Sequence, residues 1–377
     1  MKNAYPSIFN DVIGPVMRGP SSSHCAASVR IGRIVRDLMD GEIEEVLIAF
    51  DPQGSLATTH ESQGSDMGLF GGFLGWEPTD ARLVNSHAAV REVGIKVTFN
   101  ITPLENKHPN TYCITAKNAR EQHTLTAVST GGGIIEVVEI DGFPISMAGD
   151  YYETLIYFGG SGDQLLAYLN AKNKADEIHV LSNQDAQLVE IKSQDFQAPK
   201  IISELTDRFE IYAIKQIAPV LPILSSHEMQ VPFINCQEML AYNQDKDLEL
   251  WELSQIYESS RGSITGEAVL QKMMDIITII QDAIQTGLVG TDYADRILGY
   301  QSGNFQTKMD HHGLIDGGVL NRIILYTTAL MESKSAMGLI VAAPTAGACG
   351  GLPGACIGAA SAMGLSKGDM AQAMLAG

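Results

Sequence analysis

Apolar positions over residues 1–150 switch repeatedly between a helical and a strand rhythm. In Ala27–Leu38, the residues Val29, Ile31, Ile34, Val35 and Leu38 fall toward one side of a helix. Glu45–Phe50 is a nearly continuous apolar run and predicts a buried strand. Ser65–Leu74 suits a glycine-rich helix, whereas Ile95–Ile101 and Thr111–Ala116 suit strands. Thr124–Ile140 reads as strand, Gly-Gly-Gly turn, strand.

From Tyr151 the rhythm becomes regular. Leu155–Phe158, Glu177–Leu181, Gln187–Ile191 and Glu210–Ile217 predict strands, and Asp163–Asn170 and Pro199–Phe209 predict helices. The order β-α-β-β-α-β is the split βαβ, ferredoxin-like arrangement, and residues 151–222 resemble the regulatory modules called ACT domains. Ala218–Gln230 reads as a linker. Residues 228–377 then predict an all-helical region, with periodic stretches at Val269–Ala283 and Val319–Glu332. Lys367–Leu375 has the opening turns of an amphipathic helix, with Met370, Ala373 and Met374 on one face and neither the length nor the partner surface of a stable one. The expected fold class is therefore α+β: an N-terminal α+β domain (1–150), a ferredoxin-like ACT-type domain (151–222) and an all-α domain (228–377) that continues beyond Gly377.

Composition narrows the function. Asp plus Glu number 44 against 25 Lys plus Arg, a net charge of −19, which argues against a nucleic-acid partner because phosphate backbones are gripped by clustered cations. An apolar fraction of 45% with 18% charged residues excludes wholesale disorder. The five cysteines are scattered and odd in number, so a reduced, cytoplasmic setting is expected rather than a disulfide framework. The N-terminus lacks the apolar run of a secretory signal. Ala336–Ser366 is uncharged but rich in Ala and Gly and interrupted by Pro344 and Pro353; it predicts a buried glycine-rich loop between helices, not a membrane span.

Three segments carry candidate chemistry. Gly19-Pro20-Ser21-Ser22-Ser23-His24 sets three hydroxyls and an imidazole just before the helix at Ala27, where serines can cap free N–H groups and a helix N-terminus attracts an anion. His24 would then exchange a proton with a bound anion, or be a surface residue beside a plain cap. In Lys107-His108-Pro109-Asn110-Thr111, the proline restrains His108 to extended backbone. In Pro344-Thr345-Ala346-Gly347-Ala348-Cys349-Gly350-Gly351, a cysteine sits in a loop crowded with glycine, able to meet a metal centre or to pack as a small apolar residue.

Five segments in order, IFNDVIGPVMRGPSSSH, GSLATTHESQGSD (Gly54–Asp66), HPNT, STGGG (Ser129–Gly133) and PTAGACG, resemble the iron–sulfur-dependent L-serine dehydratases. The resemblance spans that family's β part, an ACT-like insert and the first portion of its α part. It implies a lyase that converts L-serine to pyruvate and ammonia with a 4Fe–4S cluster acting as a Lewis acid. Three irons are held by cysteine thiolates and the fourth is open to substrate. Hydroxide is a poor leaving group and the α-proton is weakly acidic, so the metal assists the first and a positioned base takes the second. Carried over residue by residue, Cys349 matches a cluster ligand, His24 and Ser21, Ser22 and Ser23 match the serine-rich loop, His108 matches a histidine near substrate, and Thr345 lies in the ligand loop as a substrate contact.

The departures are informative. Gln63 stands where the family has histidine and cannot act as a base, so His60 is the candidate substitute. Lys334 stands where asparagine is expected. The remaining ligand cysteines are not in this chain, so a second chain or a further C-terminal segment is expected to supply them. A homodimer is expected from the way ACT-like units pair. The competing readings are a non-catalytic amino-acid-binding regulatory protein and a related lyase acting on L-cysteine or L-threonine.

Overall fold

A computed structural model describes residues 5–105, 108–172, 175–183 and 186–377. The chain divides into two units, Ser23–Glu228 and Met1–Ser22 with Met229–Gly377. After a short strand, β1 (Val16–Arg18), the chain enters the first of these with α1 (Ala27–Leu38), β2 (Glu45–Phe50), α2 (Leu56–Thr59), α3 (Ser65–Phe73) and α4 (Ser86–Glu92). The strands β3 (Lys96–Ile101), β4 (Thr111–Lys117), β5 (Gln122–Gly131), β6 (Ile134–Ile140) and β7 (Phe143–Met147) follow. They form a six-stranded sheet in the order β3-β2-β4-β5-β6-β7. β2 and β3 run parallel, and the other pairings are antiparallel.

Helices α1 and α3 cover one face of this sheet, joining Ile31, Ile34, Val35, Leu69 and Phe73 to Val46, Ile48, Phe50, Ile114 and Leu125 in one core. Val46, Ile48, Ala49 and Phe50 of β2 are buried as expected, whereas Leu47, on the face this layer leaves uncovered, is 42% exposed. A largely antiparallel sheet needs only one covered face. The two helices touch backbone to backbone: a Cβ on Gly72 would lie 2.4 Å from the Val29 carbonyl oxygen, and one on Gly32 2.6 Å from that of Leu69. Close approach of this kind tolerates no side chain, which accounts for glycines inside α3 despite their low helix propensity.

The same unit continues with β8 (Tyr152–Phe158), α5 (Gly162–Lys172), β9 (Glu177–Ser182), β10 (Gln187–Ser193), α6 (Pro199–Arg208) and β11 (Ile211–Ile217). Their antiparallel sheet has the order β11-β8-β10-β9, the split βαβ arrangement. Ile156, Phe158, Val189 and Ile191 face Leu165, Leu169 and Leu205 of the two helices. Leu155, Leu188 and Ile217 point the other way, into the core of the six-stranded layer. Buried Lys215 joins the layers through Asp40 Oδ2 at 2.7 Å and Glu121 Oε2 at 2.6 Å. The segment read as a linker is tethered here: Val220 and Leu221 donate their N–H groups to the Gly149 carbonyl at 2.8 and 3.0 Å.

The second unit is helical: α7 (Cys236–Asn243), α8 (Leu250–Gly262), α9 (Gly266–Val289), α10 (Ser302–Asp310), α11 (Val319–Ser335), a strand β12 (Leu339–Val341), α12 (Leu352–Met363) and α13 (Lys367–Ala376). The N-terminal segment belongs to it because β1 pairs antiparallel with β12, Met17 opposite Ile340. Fully buried Glu258 also accepts from Ser7 Oγ at 2.5 Å and the Ile8 N–H at 2.7 Å.

Two expectations are corrected in this unit. The tract Ala336–Ser366 is a loop only in its first half, and Leu352–Met363 is a helix. Gly354 and Gly358 lie against Thr327 and Ile323 of α11, where a Cβ would come within 2.6 and 2.8 Å of their atoms, so packing overrides glycine's reluctance to enter a helix. The 18-residue window Ala346–Met363 is apolar enough by composition to cross a membrane, but it includes the turn before α12 and is 44% buried in the fold. The helix at Lys367 has a partner surface after all. It is closed by a Ser366–Asp369 capping box and packs against α8, α9 and α12 with Met370, Ala371, Met374 and Leu375 buried, whereas Ala373 is exposed.

Gly72→Ala is expected to destabilise the Ser23–Glu228 unit by about 1–3 kcal/mol, since two backbones must separate to admit the methyl group. Gly299→Ala, where nothing lies within 4 Å, should stay within about 0.5 kcal/mol of the parent. Urea unfolding followed by circular dichroism checks the pair, and equal midpoint shifts would contradict this packing.

Candidate active site

The predicted site residues fall into two groups, one in each unit. In the sheet-bearing unit, the chain passes from the turn Ser22–Ala26 directly into α1. Ala26 is already helical and no side chain caps α1, so Ser22 and Ser23 belong to a wider helical turn that runs into it. Ser23 and His24 lie half-buried in that turn. His24 Nε2 is 3.1 Å from Thr59 Oγ1, at the end of α2, and Thr59 donates its hydroxyl proton to the Ser55 carbonyl at 2.6 Å. Burial lowers the pKa of His24 below its ordinary value.

Ser55 extends the chain of contacts. Its N–H donates to the Pro109 carbonyl at 2.8 Å, and its hydroxyl donates to Asn110 Oδ1. The turn holding His108 is thus fastened to α2, and His108 Nδ1 accepts the Asn110 N–H at 3.2 Å. Lys107 lies outside the described residues. Ser129 of the STGGG segment donates its N–H to the Asn110 carbonyl at 3.1 Å. Gly133 of the same segment accepts from buried Arg30 of α1 at 2.6 Å.

His60 follows Thr59 directly, and its Nδ1 is 2.7 Å from Asp66 Oδ1 in the first turn of α3. Its ring stacks on Phe99 at 4.9 Å and leans on Phe50 at 5.2 Å. Asp66 is buried, which raises its carboxyl pKa, and the neighbouring His60 pulls it back down. Buried Tyr112 ties the three elements together, its hydroxyl 3.0 Å from both Ser28 Oγ of α1 and Ser65 Oγ of α3. His24 and His108 are thus linked through Thr59, Ser55 and Asn110, and the separate His60–Asp66 pair begins at the residue after Thr59.

The second group lies in the helical unit. Ser21 is half-buried, and Ser22 Oγ accepts the Ala346 N–H at 3.3 Å. Exposed Thr345 caps the short turn Ala346–Ala348 by accepting the Ala348 N–H at 3.2 Å. Cys349 follows this turn. It is buried, its Sγ lies 3.9 Å from Met331 Sδ, and burial pushes the thiol up to about 11 while Lys334 pulls the other way. Ser21, Ser22, Thr345 and Cys349 are thus placed on two segments of one unit, the N-terminal strand region and the loop after β12.

Comparison with known proteins interprets these two groups. Residues 238–377 match the family model described as "Serine dehydratase alpha chain". The chain is 38% identical over 152 residues to "Probable L-serine dehydratase, beta chain" of Bacillus subtilis (strain 168), a stretch that is 40% of this chain and 68% of that protein. It is 34% identical over 151 residues to "L-serine dehydratase, beta chain" of Peptoniphilus asaccharolyticus, 39% of this chain and 67% of that one. The chain belongs to the serine dehydratase family. It joins in one polypeptide an N-terminal part similar to β chains and a C-terminal part similar to α chains of these lyases. The "Probable L-serine dehydratase, alpha chain" of Bacillus subtilis (strain 168) is 25% identical over 122 residues, 32% of this chain and 41% of that protein.

The donors for the iron–sulfur cluster implied by that family are not assembled by the described residues. Among them no three His, Cys, Asp or Glu side chains come together to hold a metal ion. All five cysteines are unpaired, and Cys349 is a buried thiol beside a methionine. These residues do not by themselves fit a cluster that needs three thiolates.

Sequence reasoning missed Ser55, Thr59, Asp66 and Asn110 as hydrogen-bond partners of the candidate histidines and of one another. The signal was present for Asp66, a carboxylate in a polar, glycine-broken run. Its pairing with His60 crosses the turn between two helices and follows no helical or strand period.

Because burial lowers the His24 pKa, the folded protein binds fewer protons than the unfolded chain between that lowered value and 6.5. Stability therefore falls as the pH drops through this window, and His24 contributes no such dependence above it. A histidine Cε1–H titration by NMR should place the His24 midpoint below 6.5. A midpoint at or above that value would contradict the burial.

Proposed function

We propose that this protein is an L-serine ammonia-lyase, converting L-serine to pyruvate and ammonia by eliminating water across the Cα–Cβ bond. The observation that carries the reading is the His24–Thr59–Ser55–Asn110 chain of hydrogen bonds with His60–Asp66 beside it. It draws the serine-rich, GSLATTHESQGSD, HPNT and STGGG segments to one place, and two relatives that carry L-serine dehydratase in their names support the substrate. A small zwitterion with a β-hydroxyl suits such a cluster. Imidazole N–H groups and hydroxyls hold the carboxylate, and a neutral imidazole accepts the α-proton. The α-proton and the β-hydroxyl leave together as water, and the aminoacrylate that remains hydrolyses to pyruvate and ammonia.

The proposal includes Ser21, Ser22, Ser23 and Thr345 as substrate-binding hydroxyls. It treats residues 1–150, 151–222 and 228–377 as β-type, ACT-type and α-type domains. Cys349 is the residue that would supply a thiolate to a 4Fe–4S centre, which the described residues do not complete. Since its thiol is raised to about 11, metal binding must displace a proton, and affinity should climb with pH.

In the native enzyme, prepared anaerobically with iron and sulfide, L-serine should yield pyruvate and ammonia in equal amounts. Cys349→Ser should remove the cluster's visible absorption together with turnover. A native enzyme inert toward L-serine, or a Cys349→Ser variant that keeps both signals, contradicts the proposal.

A further inference from the structure

The chain leaves the four-stranded sheet across its whole width. β11 is one edge of that sheet and β9 is the other. The end of β11, the start of β8, the end of β10 and the start of β9 all lie at one end of the sheet. Ile217 pairs there with Glu153, Tyr152 with Ser193, and Glu177 with Lys192. Residues 218–228 cross this end from edge to edge. Directly after β11, Ala218 donates its N–H to Asp37 Oδ2 at 2.9 Å. Just before β8, the Gly149 carbonyl accepts the Val220 and Leu221 N–H groups, and the Asp150 carbonyl accepts that of Ser225 at 3.0 Å. The Ser225 hydroxyl also donates to Asp150 Oδ2. Just after β10, Gln194 Nε2 donates to the Ser225 carbonyl at 2.7 Å and to Asp176 Oδ2 at 2.8 Å. Just before β9, Asp176 Oδ1 accepts the His227 N–H at 2.7 Å.

The anchors thus follow one another along the segment in the order β11, β8, β10, β9, which is the order of the strands in the sheet. Val220, Leu221, Ile223 and Ser225 are buried, so the segment is packed as well as bonded. A free linker would leave its backbone groups to water. Met229, two residues after His227, opens the helical unit. Inside that unit the ring centre of Phe233 lies 5.7 Å from that of Tyr257 on α8. The next residue of α8, Glu258, holds Ser7 and Ile8, and the N-terminal segment goes on to pair with β12 ahead of the Cys349 loop.

We propose that residues 218–228 are a coupling strap, through which a change in the four-stranded sheet passes to the helical unit. The strap is tied at all four strand ends, so a shift of any strand against its neighbours strains at least one anchor. It has two states with different contacts. In the clasped state, Gln194 and Asp176 hold Ser225 and His227. In the released state, the last residues before Met229 are freed from the foot of β9. A device of this kind couples by the difference in contacts between its states. Its effect on turnover rests on the lyase reading above, whereas the strap itself does not.

Hydrogen–deuterium exchange on the full-length protein, read by mass spectrometry, tests the strap. Asp176→Ala removes the acceptor of the His227 N–H and one acceptor of Gln194. Exchange in residues 223–228 should quicken by about 3–10-fold, the equivalent of one hydrogen bond. Exchange in residues 229–243 should quicken with it, while β8 and β10 keep their rates. In the native enzyme the same variant should lower kcat at saturating L-serine by about fivefold or more, although Asp176 is no part of the candidate site. Unchanged exchange in 223–228 overturns the proposal. Faster exchange confined to 223–228 marks a brace for the sheet and overturns it as well, as does unchanged turnover in an active enzyme. A wild-type enzyme inert toward L-serine overturns the lyase reading instead, and exchange in 229–243 then decides the strap alone. Should Asp176→Ala not fold, Gln194→Ala, at an exposed position, removes the two middle bonds and decides by the same readouts.

Discussion

The contact between the backbones of α1 and α3 is the constraint on which the candidate site depends. Gly32 and Gly72 let the two helices touch, and at the site end a Cβ on Gly68 would come 2.3 Å from the Cys25 carbonyl oxygen. His24 directly precedes that carbonyl in the chain, and Asp66 sits in the first turn of α3. The same contact that closes the hydrophobic core therefore sets where an imidazole and a carboxylate stand. Tyr112 carries the constraint to the sheet, since its hydroxyl touches a serine from each helix and the His108 turn lies just before it on the chain. The turns that carry His60 and His108 are thus anchored to packed elements at both ends.

Hydrogen-bond arithmetic then differentiates side chains that look alike in the sequence. Three imidazoles of the same intrinsic chemistry acquire different partners, since one faces a hydroxyl whose proton is committed, one a backbone N–H and one a carboxylate. The sequence distinguishes none of this, because tautomers depend on partners brought in from other elements. Asp66 is the clearest case: it lies six residues from His60, a spacing with no structural period, and becomes its partner only because α2 ends and α3 begins between them.

What was legible in the sequence is what rests on local pattern. The α1 face, strands β2 to β6 and the β-α-β-β-α-β order follow from periodicity and glycine turns. Strand β7, with Pro144 inside it, and the three-residue strands β1 and β12 carry too little pattern to be read. The latter two pair across almost the whole chain, Val16 opposite Val341, so only tertiary structure reveals them. The glycines of α12 misled in the opposite direction. They suggested a loop, yet Gly354 and Gly358 are the positions where α11 comes too close for a side chain. The cysteine at 349 was legible as a candidate, but its burial against Met331 was not.

The central claim is that His24, His60 and His108 belong to one prebuilt site for a small hydroxy amino acid. Titrating L-serine into the full-length protein and following the Cε1–H resonances of all three histidines tests it most directly. The account predicts that the three shift together along one binding curve and that His179, on the exposed strand β9, does not move. Three separate curves, or movement at His179 with none at the cluster, would contradict it.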